Sequence, residues 1–190
     1  AVSVHDLIIH PRDNDLVVGT HGRSIYIAHV AELQQLNDTT LAKDLFVFKP
    51  SSIKYHANWG KIPETWNDTI EGKIQFAYYV KEKGISIIRI KTIGDNGIVL
   101  KTLKDTAKAG LNYISYDLSI DSNMISQYQS WANSSKDLNG DDKKVERADN
   151  KKYYLKPGKY IVEVQTERGV ISKESFTIKP AEREQEQQEP

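Results

Sequence analysis

Hydrophobic and polar side chains alternate most cleanly between Tyr160 and Ile178. Tyr160, Val162 and Val164 fall on one face of an extended chain and Ile161, Glu163 and Gln165 on the other, the two-residue period of a half-buried strand. Pro157-Gly158 starts this strand and Glu167-Arg168-Gly169 turns it. Val170, Ser172, Glu174, Phe176 and Ile178 carry the return strand, so the pair reads as a β-hairpin. A hairpin polar on one side is not stable alone in water, and a second apolar sheet must cover it.

The chain before the hairpin supplies those strands. Ile74, Phe76, Tyr78 and Val80 alternate; apolar runs follow around Ile85–Ile90 and Ile98–Leu103, with turns at Lys83-Gly84 and Gly94-Asp95-Asn96-Gly97, and Gly110–Leu118 is the next strand. This spacing predicts an antiparallel sandwich over residues 72–179. Residues 119–152 read as a polar surface insertion, mobile at its centre, and residues 180–190, rich in Glu and Gln, as a disordered tail. Toward the N-terminus, strands are expected around residues 4–10, 16–18 and 24–28, then a helical connector over 30–36 with Val30, Leu33 and Leu36 on one side. Residues 37–71 read as a connector that carries an apolar strand at 45–48 and then the aromatic residues Tyr55, Trp59 and Trp66.

Composition narrows the function classes. The chain has 190 residues, 38% of them hydrophobic, which permits an ordinary core. Its 26 basic residues balance 26 acidic ones, so no global field draws in nucleic acid or an anionic membrane, and any basic patch has to be local. The absence of cysteine excludes disulfides, thiolate metal sites and a cysteine nucleophile. No run approaches the roughly 20 apolar residues of a membrane span. Ala1-Val2-Ser3-Val4-His5 offers neither a starting Met nor a charged and apolar leader, so the sequence reads as a piece of a longer chain.

Two stretches resemble known families. Val4 to Ile27, with His10-Pro11-Arg12-Asp13 and Thr20-His21-Gly22-Arg23, resembles the last repeat of the BNR-type, sortilin-like β-propellers of large secreted proteins related to glycosyl hydrolases. Residues 1–36 would then be the last strands of a blade whose partners are the upstream blades of the same parent protein. Asn96-Gly97-Ile98-Val99, Gly110 to Asp117 and Pro157 to Tyr160 are similar to the FlgD-like immunoglobulin-type domain, in which an aromatic before Asp is commonly Trp where this chain has Tyr116. The resemblances imply an all-β chain, an immunoglobulin-like β-sandwich preceded by the end of a propeller blade, in a secreted, cell-surface or periplasmic protein.

Candidate chemistry is sparse. Asp137, Asn139 and Asp141 resemble the start of a calcium loop, but the sixth position is Asp142 rather than Gly and the twelfth is Ala148 rather than Glu. A plain solvated loop explains the same residues. His21 and Arg23 would line the propeller's inner surface, where an Arg can hold a carboxylate or sulfate by paired hydrogen bonds; the alternative is a turn bonded to a neighbouring blade. Trp59 and Trp66, with Tyr55 and His56, form either an aromatic platform for a sugar or a plug between domains. Glu64, Asp68, Glu71 and Asp117 are available to a glycosidase, but no motif fixes two of them across a sugar ring. Asp117 reads as a strand-end residue bonding backbone amides. No catalytic residue and no cofactor is expected. The leading reading is a non-catalytic accessory module; the others are a carbohydrate-binding domain and a fragment that lends its Thr20–Arg23 turn to a glycosidase site.

Overall fold

The computed structural model describes residues 3–12, 15–22, 24–63, 70–93, 97–135, 138 and 140–181. The fold is all-β, with three sheets among the described residues, and divides into two compact units, residues 1–43 and residues 44–190.

In the first unit, β1 (Val4–Ile9), β2 (Asp15–Thr20) and β3 (Ile25–His29) form an antiparallel meander. His10 N–H donates to the Asp15 carbonyl (2.8 Å) and closes the first turn, and the Thr20 hydroxyl donates to the Ser24 carbonyl (2.7 Å) across the second. Register aligns Leu7, Val18 and Tyr26 in one cross-strand row and Ile8, Val17 and Ile27 in the next, and adjacent rows face opposite sides of the sheet. Both faces are therefore apolar, and both are open: Leu7 is 59% and Tyr26 55% exposed, Ile8 62% and Ile27 68%. A two-layer sandwich asks for one apolar face per sheet; this sheet has two. Within the helix expected over 30–36 only α1 (Ala31–Gln34) is helical; beyond it the Asn37 side chain accepts the Thr40 amide and caps a separate short helix, α2 (Asp38–Leu41).

The second unit starts earlier than the expected boundary at residue 72. β4 (Leu45–Val47) pairs with β6 (Ile74–Val80), and β5 (Ile53–Lys54) runs parallel to β11 (Ile171–Lys179). The stretch read as a connector thus gives two strands to the sandwich, drawn in by Leu45, Val47 and Phe48, all buried. With β7 (Gly84–Thr92), β8 (Val99–Ala107), β9 (Gly110–Tyr116) and β10 (Gly158–Thr166), the sheets are β4-β6-β9 and β5-β11-β10-β7-β8. Their inner faces share one core. Phe76 of the smaller sheet stacks on Tyr116 and meets Phe176 of the larger edge-on, with centroids 6.2 and 5.2 Å apart.

Residues 119–152, expected as a mobile surface insertion, instead help to form the core. α3 (Ile125–Ser134) buries Tyr128 and Ala132 completely, one turn apart on one face, and Leu138 follows them in. Trp131 stacks on Tyr128 at 5.2 Å and reaches Tyr160 at 5.7 Å. Helical spacing of Tyr128, Trp131 and Ala132 was present in the sequence, but the polar residues around them obscured it.

A closed ring of hydrogen bonds fixes this joint. Lys156 N–H donates to the Tyr128 hydroxyl (2.8 Å), and the Tyr160 hydroxyl donates to the Lys156 carbonyl (2.7 Å). The Tyr160 proton is thereby committed, so the Tyr128 hydroxyl is the donor in the 2.6 Å contact between the two phenols. Burial pushes both phenols well above their ordinary pKa, which keeps them protonated and able to donate. Tyr128→Phe leaves the part-buried Lys156 amide without an acceptor and should cost about 1–3 kcal/mol in urea denaturation, with the slope unchanged.

Candidate functional site

The aromatic segment lines a cleft of ≈ 310 Å³ in the second unit. A tight turn over residues 56–61 is closed by Trp59 N–H to the His56 carbonyl and by Asn58 N–H to His56 Nδ1, both 3.1 Å. Gly60 has φ +75, and a Cβ there would lie 2.6 Å from both Asn150 Oδ1 and the Tyr154 ring. Glycine alone allows that approach. It lets the turn dock on residues 148–154, where Asn150 N–H donates to the Gly60 carbonyl (3.0 Å) and Ile62 N–H to Asp149 Oδ2 (3.1 Å). The cleft between them has the rings of Tyr55, Trp59 and Tyr154 below and His56, Lys61, Arg147 and Asp149 around its mouth. Lys156 Nζ sits 5.7 Å from the Tyr55 ring centroid, a cation over an aromatic face.

Trp59 is not an open stacking platform. It is 7% exposed, lies edge-on to Tyr55 at 5.1 Å, leans on Tyr154 at 6.2 Å, and sits so close to Gly72 that a Cβ there would come within 2.8 Å of the indole. Its faces serve the core, and Tyr55 is the half-buried ring that the cleft presents. Trp66 lies outside the described residues, as do Arg23, Asp137 and Asn139; the side chain of Asp141 is likewise outside them. His21 pairs with His5, the rings 5.2 Å apart and tilted by 35°. Among the described residues, no three His, Cys, Asp or Glu side chains gather as a metal site.

Glu64 and Asp68 also lie outside the described residues. Glu71 and Asp117 converge on Lys152 Nζ, at 4.0 and 2.9 Å. Asp117 Oδ1 further accepts the Ser119 amide (3.1 Å) and hydroxyl (2.7 Å), across a turn in which Leu118 takes φ 59. Desolvation raises the Asp117 pKa, but the bonds from Ser119 and Lys152 outweigh it and hold the carboxyl below its ordinary value. A general acid for glycoside cleavage needs the opposite shift. Because the folded pKa is depressed, the stability this group confers is complete above the unfolded carboxylate range and is lost as pH falls through the folded pKa. Asp117→Asn should therefore flatten the decline in melting temperature below about pH 4. An unchanged acid limb would contradict this assignment.

The wall formed by Arg147, Asp149 and Tyr154 was missed in the sequence: Arg147 and Asp149 belonged to the presumed insertion, and Tyr154 to the stretch that leads into the C-terminal hairpin. The turn-forming pair Asp149-Asn150 next to Tyr153-Tyr154 was the available signal of a docked loop.

No family model and no curated protein matches the chain. Among solved structures, a β-glucosidase from Listeria innocua in complex with glucose aligns over 73% of this chain and 16% of its own, at 11% identity and a TM-score of 0.29. The GH3 β-glucosidase of Bifidobacterium adolescentis aligns over 70% of this chain and 17% of its own, at 12% identity and the same TM-score of 0.29. The chain thus spans about one sixth of the length of these glycosidases. Superpositions this loose mark weak structural similarity to glycoside hydrolases and carry no argument about activity.

Proposed function

We propose that this chain is a non-catalytic structural module of a larger secreted or cell-surface protein, in which the β1–β3 sheet belongs to a propeller blade and residues 44–181 form an immunoglobulin-like domain. The observation that carries the reading is the β1–β3 sheet, apolar and open on both faces. A blade is flanked by a neighbour on each side, so both of its faces must be apolar, whereas a sheet covered on one side needs only one. Three features support the immunoglobulin-like reading: β11-β10-β7-β8 packed against β4-β6-β9, β5 running parallel along the β11 edge, and the Tyr160 hydroxyl bonding back to the backbone four residues upstream.

Because the chain has no cysteine, single thiols report accessibility without interference. Leu7→Cys and Ile8→Cys place one thiol on each face. Both should be labelled rapidly in this chain and both protected in the longer protein the reading requires. A thiol on either face that stays reactive in the longer protein would contradict a blade flanked on both sides.

A carbohydrate-binding accessory role is the second reading, supported by the Tyr55–Tyr154 cleft. Tyr55→Ala should weaken glycan binding there by about 1–3 kcal/mol, on the scale of a lost ring-stacking contact; the melt should fall as well, because Tyr55 packs edge-on against Trp59, so binding is read well below it. Titration calorimetry of wild type and variant reads this directly; equal affinities would show that the cleft holds no glycan.

A further inference from the structure

The net charge of the chain is +0, but the strands distribute it unevenly. In the five-stranded sheet, Ile88, Ile90, Val162 and Val164 point into the core. Alternation sends Arg89, Lys91 and Glu163 to the opposite face. Register brings Lys104 on β8 beside Ile87, and Lys173 on β11 beside Glu163, with Lys159 and Lys179 farther along the same face. Among the described residues of these strands, Glu163 is the one carboxylate there, and it is engaged: Lys91 Nζ lies 2.6 Å from it and Arg89 3.5 Å. The Arg89 guanidinium also donates to Gln165 Oε1 at 2.7 Å. Lys104, Lys159, Lys173 and Lys179 are exposed, and exposed Thr102, Thr106 and Ser175 lie among them.

We propose that this outer face binds a linear polysaccharide bearing carboxylate or sulfate groups. Cations of one sign on an open surface concentrate repeated anions. β8 and β11 are three strand spacings apart, about 14 Å, so Lys104 and Lys173 are bridged by an extended run of anions and not by one small ion. Thr102, Thr106, Ser175 and Gln165 supply hydrogen bonds suited to sugar hydroxyls. The strands present no aromatic ring on this side, which removes the stacking platform that single-stranded nucleic acid requires, and a flat sheet interior offers no helix or ribbon to enter a duplex groove. The proposal gives the accessory-domain role a ligand class but does not rest on the Tyr55–Tyr154 cleft.

The test uses the whole chain at low salt against immobilised polygalacturonate, dextran sulfate, uncharged dextran and a single-stranded oligonucleotide. Binding to polygalacturonate, to dextran sulfate or to both is expected, weakening as salt rises, with none to dextran; the two charged probes separate carboxylate from sulfate recognition. Lys104→Gln, Lys159→Gln and Lys173→Gln combined should lower affinity at least tenfold. The same charge loss at exposed Lys73, Lys81 and Lys108, which lie off this face, should change it little, as should Tyr55→Ala. The proposal fails if neither charged polysaccharide binds, if both triple variants lose affinity alike, or if the oligonucleotide binds more tightly than either polysaccharide. A loss confined to Tyr55→Ala would also overturn it and move binding to the cleft.

Discussion

Tyr160→Ala is expected to destabilise the second unit by about 3–5 kcal/mol, the range for deleting a buried aromatic. Tyr160 is fully buried between Phe176, stacked at 5.6 Å, and Trp131 at 5.7 Å. The substitution empties that space and also opens the hydrogen-bond ring, leaving the Lys156 carbonyl and the Tyr128 hydroxyl without their partner. Tyr160→Phe separates the two contributions, since it keeps the ring and removes only the hydroxyl. It should cost about 1–3 kcal/mol. A Tyr160→Phe variant as unstable as Tyr160→Ala would place the whole effect in the polar ring; one as stable as wild type would place it in packing.

Gly60→Ala is expected to lower stability by roughly 3 kcal/mol, although it adds a single methyl group. Two costs combine: a non-glycine residue held at positive φ, about 1–2 kcal/mol, and overpacking of a rigid contact, about 1–3 kcal/mol. The atoms in the way are Asn150 Oδ1 and Tyr154 Cε2 at 2.6 Å and Ala148 Cβ at 2.8 Å, and Asn150 is itself held by bonds to the Tyr154 hydroxyl and the Lys152 amide. Relief requires the turn at 56–61 to move off residues 148–154. The cleft should then open as the melting temperature falls. Gly169→Ala is the control, because Gly169 also has positive φ but open space around it. It should show the backbone cost alone.

Where alternation ran unbroken, the sequence was easy to read. β6, β7, β9, β10 and β11 lie close to where alternation, apolar runs and turn residues placed them; β7 and β10 bury every second residue, so their register leaves no other solution. The elements that escaped were short or of mixed character. β5 is two residues long and has no period to detect. α3 carries Ser126, Gln127 and Ser130 on its open side, a composition that resembles a loop until Tyr128, Trp131 and Ala132 are seen to share one face. The cleft depends on a left-handed glycine and an Asp149-Asn150 turn separated by nearly ninety positions, a juxtaposition that only the fold creates. Trp59 reads the same in sequence whether it stacks on a sugar or fills a core, and its burial decides for the core. The basic outer face was hidden for a related reason: balanced totals conceal an imbalance that exists only once strands are aligned.

We propose that residues 44–181 are self-sufficient, while the β1–β3 sheet is a part whose two faces await neighbours. Native-state hydrogen exchange on the whole chain tests it most directly. Amides of Ile88, Ile90, Val162 and Val164, in central strands with buried side chains, should exchange only through global unfolding. Those of Val17 and Val18, in the middle strand of the open sheet, should exchange through local opening of a few kcal/mol at most, far below the global value. Equal protection of Val17 and Val162 would show that the first sheet is stable as it stands, and would contradict the claim that it is one layer of a larger stack.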